Sequence, residues 1–186
     1  MNMLQDYCVV KDDMLDPLVC DTLIDVFRQN THLHERYDNN KKPNFTQLNF
    51  TRNKSIAPEL HDYLVYAGKG ILGLYKKQVP ESSYWPNKVV FEDFRIKHYA
   101  SNGRDEFDMH VDAISESTAK RYLVFFWYLN DVEEGGTTEF PQLNVIVQPK
   151  KARCLMFPPM WLFPHRGAPV TKGEKFLLSS YLHYAE

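Results

Sequence analysis

A histidine and an aspartate two residues apart are the first side chains in this sequence whose types and spacing suggest chemistry. Apolar and polar residues alternate in the segment FDMHVDA, so a β-strand there would direct His110 and Asp112 to the same face. An imidazole and a carboxylate that converge in this way can bind one metal ion. The same spacing also occurs in strands that turn a polar face to solvent, so the pair needs support from other residues.

A second imidazole, on His165, follows several predicted strands later in the chain. A closed β-sandwich would bring it back beside His110 and Asp112. Two imidazoles and one carboxylate on one face form the ligand set of non-haem Fe(II) oxygenases, which leaves coordination positions free for a cosubstrate and oxygen. Two alternatives remain open from the residues alone. The same ligands suit Zn(II) hydrolysis, and a histidine in the aromatic segment FPPMWLFPHRG can be purely structural.

A lysine ten residues beyond His165 favours the oxygenase over the hydrolase. Lys175 opens the last predicted strand, where alternation puts it on one face with Ser179 and Tyr181. Burying an ammonium group without a partner costs several kcal/mol, so this side chain either reaches solvent or meets an anion. A dicarboxylate cosubstrate would supply that anion.

Two helices and a long polar segment are predicted to precede the β-rich half. Asp16 before Pro17 is an N-cap and first-turn signal, and helical spacing of apolar residues predicts a helix over 17–29. A second helix is predicted from Leu60 to Leu74, although three glycines in it could divide it in two. Residues 30–55 are polar and predict a long loop or a pair of short extended segments.

The second half of the chain has the composition of a β-structure. From residue 89, short β-branched and aromatic runs alternate with turn-forming clusters such as ASNG and EEGG. This pattern predicts an α+β fold with a jelly-roll core and the N-terminal helices packed outside. We expect one domain over 1–186, in which 1–88 is a helical and loop support region and 89–186 is the β-core that carries the site.

The composition argues against several classes of partner and location. The 186 residues are 44% hydrophobic, and 22 Lys and Arg against 24 Asp and Glu give a net charge of −2. No general attraction to nucleic acid or to an anionic membrane follows from that charge. The longest apolar run, from Tyr122 to Leu129, is too short to cross a bilayer. Three cysteines and a start without a basic or long apolar segment predict a reduced, cytoplasmic protein.

The order of the motifs over residues 89–184 resembles the prolyl 4-hydroxylase-like branch of the 2-oxoglutarate and Fe(II)-dependent dioxygenases. The matching segments are YASNGRDEFDMHVD, then YLNDVEEGGTTEFP, then HRGAPVTKGEK. The segment VVKDDMLDPLVCDTLI also resembles the strand and helix with which such domains begin. The resemblance implies a double-stranded β-helix, or cupin-like, core, which agrees with the strand pattern.

The resemblance also implies roles for individual residues. The iron ligands would be His110, Asp112 and His165. Lys175 would bind the distal carboxylate of 2-oxoglutarate, and Tyr99, Thr138 and Ser179 would line the same pocket. Substrate contacts are expected from Tyr181 and Arg166, although Arg166 could equally form an exposed ion pair.

The implied reaction hydroxylates prolyl residues in a peptide or protein while O2 and 2-oxoglutarate give succinate and CO2, with ascorbate as the reductant. Three positions depart from the pattern: Phe107 replaces a frequent tyrosine, Ala152 replaces a usual glycine, and Tyr181 stands where some relatives carry tryptophan. The last departure leaves open a non-prolyl small molecule or side chain as substrate. A non-catalytic metal-binding jelly-roll module is the further alternative.

Overall fold

Two antiparallel β-sheets pack against each other, and two helices cover the outer face of the larger sheet. A computed structural model describes residues 3–38, 43–86, 88 and 90–185. The larger sheet has eight strands and the smaller has four, and a separate two-stranded ribbon joins two loops. This arrangement is the α+β architecture that the sequence predicted.

The larger sheet has the strand order β1-β11-β7-β14-β5-β3-β2, with β4 paired to β14. The smaller sheet has the order β10-β9-β12-β6, and the ribbon pairs β13 with β8. The strands are, in chain order, β1 (Val9–Lys11), β2 (Glu35–Asp38), β3 (Asn44–Asn49), β4 (Val90–Phe91), β5 (Arg95–Ala100), β6 (Phe107–His110), β7 (Arg121–Tyr128), β8 (Glu134–Gly135), β9 (Thr138–Phe140), β10 (Val145–Val147), β11 (Cys154–Phe157), β12 (His165–Gly167), β13 (Val170–Lys172) and β14 (Glu174–His183).

Strand β7 shows that the larger sheet contributes side chains to two hydrophobic cores, one on each of its faces. Its side chains alternate between two hydrophobic cores, because successive residues of a strand point to opposite faces. Leu123, Phe125 and Trp127 belong to the core under the helices. Val124, Phe126 and Tyr128 belong to the core between the sheets. Burial on both faces accounts for the uninterrupted apolar run in the sequence.

Helix α1 (Pro17–Gln29) has the bounds that the sequence predicted. The carboxylate of Asp16 accepts a hydrogen bond of 2.8 Å from the backbone N–H of Leu18, which caps the first turn. Cys20, Leu23, Ile24 and Phe27 form its buried face. The helix is therefore fixed by a local cap and by one apolar stripe against the sheet.

Helix α2 (Pro58–Gln78) is continuous, so the expectation that glycines divide it was wrong. Gly68 is buried, and a Cβ atom at this position would lie 2.9 Å from the Phe91 ring. Gly70 and Gly73 face open space. Tertiary packing thus outweighs the helix propensity of these residues, which is worth about 1 kcal/mol per glycine.

The polar segment 30–55 contains the pair of extended segments that the sequence allowed. Strand β2 pairs with β3, and β3 pairs with β5 of the second half of the chain. Residues 39–42, within the same segment, lie outside the described part of the structure. Among the helices that are described, none combines the length and apolar character needed to cross a membrane.

Candidate active site

Three potential metal ligands meet where the smaller sheet faces the larger one. His110 ends β6 and His165 begins β12, and the two residues are partners in the antiparallel register. Cross-strand partners have neighbouring side chains, so the pairing brings both imidazoles together. Asp112 follows β6, where its backbone N–H donates to the carbonyl of Pro159 over 3.1 Å. One ligand atom from each of the three lies within 4.8 Å of the others.

Backbone carbonyls fix the orientation of both imidazoles. Nδ1 of His110 lies 2.7 Å from the carbonyl oxygen of Asp108, and Nδ1 of His165 lies 3.1 Å from that of Phe163. A carbonyl only accepts hydrogen bonds, so each Nδ1 carries the proton and donates it. Each Nε2 is left with a free lone pair, which is the tautomer that metal-binding histidines use.

The electrostatic surroundings keep both imidazoles neutral. Burial, then the neighbouring imidazole of His165, lower the pKa of His110 to about 4. Burial also lowers the pKa of His165, against the opposing effect of the Asp112 carboxylate. Neutral imidazoles can bind a cation without first losing a proton.

One oxygen of Asp112 has no hydrogen-bond donor among the residues that the structure describes. Oδ1 accepts a hydrogen bond of 2.7 Å from the phenolic O–H of Tyr181. Oδ2 is buried without a hydrogen-bond partner in the described part of the chain and lies 3.6 Å from Nε2 of His165. A buried carboxylate oxygen without a donor is costly unless a cation satisfies it. The donor set of two nitrogens and one oxygen therefore fits an Fe(II)-type ion.

Lys175 lies in the same cavity and is 1% exposed. It faces Tyr99 across the β14–β5 pairing, and its Nζ lies 4.5 Å from the centroid of that ring. Nζ donates one hydrogen bond of 2.9 Å to the carbonyl of Gly136. Burial, then the positive charge of Lys97, lower the pKa of Lys175 to about 7. Within the described residues, the ammonium group therefore has no anion that would offset its burial.

The glycine pair in EEGGTTEF lets the loop after β8 approach this lysine. Gly136 has φ +68°, the left-handed region that favours glycine, and a Cβ there would lie 3.4 Å from Cδ of Lys175. Thr138 and Ser179 line the cavity. The Oγ1 atom of Thr138 accepts a hydrogen bond from Tyr128, so its own proton is free to be donated elsewhere.

The two residues expected to contact substrate occupy different positions. Tyr181 lines the cavity, but its hydroxyl is bound to the Asp112 carboxylate. Arg166 does not line the cavity; its guanidinium pairs with Glu139 over 2.7 Å, and its side chain is 50% exposed. Neighbours in a strand point to opposite faces, so an inward His165 directs Arg166 outward. The exposed ion pair is thus the arrangement that the structure supports for Arg166.

Two residues at or near the cavity went unnoticed in the sequence. Lys97 lies two residues before Tyr99 on β5, so the same alternation that points Tyr99 inward also points Lys97 inward. Arg121 donates to the backbone carbonyl of Asp112 over 2.9 Å and lies 3.9 Å from the Tyr181 ring centroid. The position of Lys97 could have been found from period-two spacing, whereas the contacts of Arg121 depend on tertiary packing.

Comparison with known proteins agrees with this geometry. Residues 94–183, which include every cavity residue named above, match the model of the 2OG-Fe(II) oxygenase superfamily. Over that stretch, which is just under half of its length, the chain is similar to this superfamily. Its relatives fall in the prolyl 4-hydroxylase-like branch: prolyl 4-hydroxylase subunit alpha-1 of Gallus gallus is 31% identical over 110 residues, which are 50% of this chain and 20% of that protein.

Solved structures of oxygenases share the fold. The viral collagen prolyl hydroxylase of Paramecium Bursaria Chlorella virus-1, solved as a 2OG complex, has a TM-score of 0.74 at 24% identity and covers 96% of this chain and 97% of that one. A prolyl hydroxylase from Trichoplax adhaerens, in complex with a hypoxia inducible factor peptide fragment, has a TM-score of 0.73 at 12% identity, covering 96% and 84%. The predicted double-stranded β-helix core is confirmed.

The curated relatives are longer than this chain. It spans between 20% and 54% of the length of the first three that it matches. The activity and substrates of those whole proteins therefore reach this chain only as a proposal.

Proposed function

We propose that this oxygenase uses Fe(II), O2 and 2-oxoglutarate to hydroxylate prolyl residues in a peptide. One observation carries the proposal: the buried Oδ2 of Asp112 has no donor among the described residues and faces the free Nε2 atom of His165. The overall reaction balances as one O2 and one 2-oxoglutarate giving succinate, CO2 and one hydroxyl group on the substrate.

The metal would be held by His110, Asp112 and His165. These side chains occupy one face and leave the opposite side toward the cavity free of protein ligands, among the described residues. When bound, Fe(II) would supply the redox chemistry that couples O2 to 2-oxoglutarate. The protein's own part is to present two neutral imidazoles and one ionised carboxylate in a fixed orientation.

The inner end of the cavity suits a small dicarboxylate. Lys175 offers a buried ammonium group, Thr138 offers a hydroxyl donor, and the Tyr99 ring lies beside the lysine and lines the same wall. We assign the distal carboxylate of 2-oxoglutarate to this end, because a charge-assisted hydrogen bond would satisfy the lysine. Ser179 completes the lining on β14. Ascorbate is proposed as the reductant because the sequence resembles the prolyl 4-hydroxylase-like branch.

A groove outside the metal site suits an extended peptide. Aromatic rings of Tyr37 and Phe45 stack on one side of it, with centroids 4.8 Å apart, and Ile114 lies on the other side. Aromatic-lined grooves commonly bind proline-rich segments, whose ring packs on aromatic faces at low entropic cost. The Trichoplax adhaerens relative was solved with a peptide fragment, which supports the same substrate class.

We also propose that residues 1–186 act as a single oxygenase unit. Strand β3 belongs to the N-terminal part and pairs with β5, which carries Lys97 and Tyr99. Phe45 of β3 packs against the Tyr99 ring at 5.4 Å. The region 1–88 therefore contributes one wall of the groove, so the proposed site needs both parts of the chain.

Succinate formation tests the proposed function. The purified protein is incubated with Fe(II), 2-oxoglutarate, ascorbate and a library of proline-containing peptides, with and without O2. We expect O2-dependent succinate together with a peptide that gains the mass of one oxygen atom. Absence of succinate under all these conditions would rule out the proposed oxygenase activity. Succinate formation without oxidation of any peptide would support the oxygenase reaction but would reject a prolyl peptide as the substrate.

Variants connect that activity to the metal site. His110→Ala and Asp112→Ala should each abolish succinate formation and Mn(II) binding, because each removes one of three ligands. His32→Ala is the matched control, since this imidazole is exposed on a short 3-10 helix away from the cavity. Full activity in both the His110→Ala and the Asp112→Ala variant would contradict the assignment of these residues as metal ligands.

A further inference from the structure

Lys97 lies at the junction between the inner cavity and the outer groove. It lines both, together with Phe107, His110, Asp112, Ser179 and Tyr181. Lys175, Tyr99 and Thr138 line only the inner cavity. The ammonium of Lys97 is therefore placed on the substrate side of the cavity, beside the metal ligands and away from its inner end.

The charge of Lys97 is not balanced within the described residues. Its Nζ forms no hydrogen bond or close ion pair there and lies over two rings, 5.2 Å from the centroid of Phe45 and 6.0 Å from that of Phe107, while the Asp112 carboxylate attracts it at longer range. Two arginines that also line the groove are already paired, Arg95 with Asp93 and Arg121 with Glu92. A partly buried cation with no hydrogen-bonded anion among the described residues is suited to bind one.

A charge inventory points to the primary substrate as the source of that anion. A divalent metal ion would carry two positive charges, and the Asp112 carboxylate would balance one of them. A dicarboxylate cosubstrate would carry two negative charges, and the Lys175 ammonium would balance one of those. Metal, carboxylate ligand, cosubstrate and Lys175 together are neutral. Lys97 adds one positive charge to this neutral set, and a single carboxylate on the substrate would balance it.

We propose that Lys97 binds a carboxylate of the primary substrate, which is therefore a prolyl peptide with an acidic side chain, or its free terminal carboxylate, close to the hydroxylated proline. This inference rests on the proposed function and adds the substrate class. Lys97 is a specificity-determining residue, and its Nζ lies over the Phe45 and Phe107 rings that line the same groove.

Binding without turnover tests this assignment. The protein is loaded with Mn(II) and 2-oxoglutarate under anaerobic conditions, and peptide affinity is measured by calorimetry. Peptide pairs carry Glu or Gln on either side of one proline, and a second pair ends in a free carboxylate or an amide after proline. We expect at least one acidic member to bind about 10- to 100-fold more tightly than its neutral partner.

Four variants define the cause of that preference. Lys97→Met removes the charge but keeps the stem, so the preference should disappear. Lys97→Arg should retain it, and Lys97→Glu should favour a peptide with Lys at the same position. Lys69→Met is the control, because Lys69 is exposed on α2.

Two results would overturn the assignment. One is equal binding of acidic and neutral peptides by the parent protein. The other is a weaker affinity of Lys97→Met for 2-oxoglutarate, measured in the absence of peptide. That result would show that Lys97 binds the cosubstrate and not the peptide. Failure of the proposed function would show separately, as absent succinate formation in air, because peptide affinity is read without turnover.

Discussion

Tyr181 donates a hydrogen bond of 2.7 Å to Oδ1 of Asp112 from the strand opposite the metal site. The bond holds the carboxylate so that its other oxygen, Oδ2, faces His165. Arg121 contacts both residues of this pair. Its guanidinium lies 3.9 Å from the Tyr181 ring centroid and donates a hydrogen bond to the backbone carbonyl of Asp112. Orientation of the ligand is thus built into β7 and β14.

Tyr181→Phe should therefore weaken metal binding without unfolding the protein. Loss of a hydrogen bond to a ligating carboxylate typically lowers metal affinity by about 10- to 100-fold. Mn(II) titration followed by calorimetry measures the change, and thermal unfolding checks the fold. Tyr66→Phe is the matched control, since Tyr66 is 75% exposed on α2. Unchanged affinity in Tyr181→Phe would show that the carboxylate needs no such support.

Lys175→Met should separate cosubstrate binding from stability. We expect the affinity for 2-oxoglutarate to fall by about 2–5 kcal/mol, because one partner of a buried charge pair is lost. The free energy of unfolding should not fall, since the variant removes a buried ammonium that lacks an anion in the free protein. Calorimetric titration and denaturant unfolding measure the two effects. A destabilised variant with normal affinity would assign Lys175 a purely structural role.

Local signals explain why much of this architecture was predictable. The start of α1 depends on Asp16 and Pro17, which act within one turn, and the metal triad depends on period-two spacing and motif order. Arg166 follows from the same alternation that directs His165 inward, so its outward position was available from the sequence.

Tertiary relationships explain what was not predictable. The hydrogen bond from Tyr181 to Asp112 joins residues 69 positions apart. The Phe91 ring packs so close to Gly68 of α2 that a Cβ atom there would lie 2.9 Å from it. The spacing of residue types along one segment encodes neither the hydrogen-bond partner of Tyr181 nor the room that is left at Gly68.

Binding of 2-oxoglutarate should take up protons at pH 8. Burial lowers the pKa of Lys175 to about 7, so the amine is mainly neutral at pH 8, and a bound carboxylate raises that pKa again. Uptake should approach one proton well above pH 7 and vanish at pH 6, where the amine is already charged. Calorimetry of the Mn(II)-loaded protein in buffers of different ionisation enthalpy measures it.

The Lys97→Met background isolates that effect, because the pKa of Lys97 is also lowered by burial, to about 8. Lys175→Arg is the control, since a guanidinium stays protonated at both pH values and should show no uptake. Equal proton uptake by the Lys and Arg forms would place the titrating group elsewhere.

Two glycines of α2 should respond in opposite directions to alanine. Gly68→Ala puts a Cβ within 2.9 Å of the Phe91 ring, so overpacking should destabilise the protein by about 1–3 kcal/mol. Gly70→Ala meets nothing within 4 Å and should stabilise the helix by about 1 kcal/mol. Urea unfolding of both variants measures the pair, and a stabilised Gly68→Ala would mean that the Phe91 ring moves aside freely.

Ala152→Gly should stabilise the fold. Ala152 has φ +64°, where an L-residue with a Cβ is strained, and it is fixed there because its N–H donates to Tyr128 and its carbonyl accepts from Met14. Relief of that strain exceeds the added chain entropy of glycine, so we expect a net gain of about 0.5–1 kcal/mol. Thermal and urea unfolding measure it. Ala67→Gly, in the middle of α2, is the control and should instead lose about 1 kcal/mol. A loss of similar size at Ala152 would show that the turn before β11 carries no strain, and that the glycine usual at this position in the family has another cause.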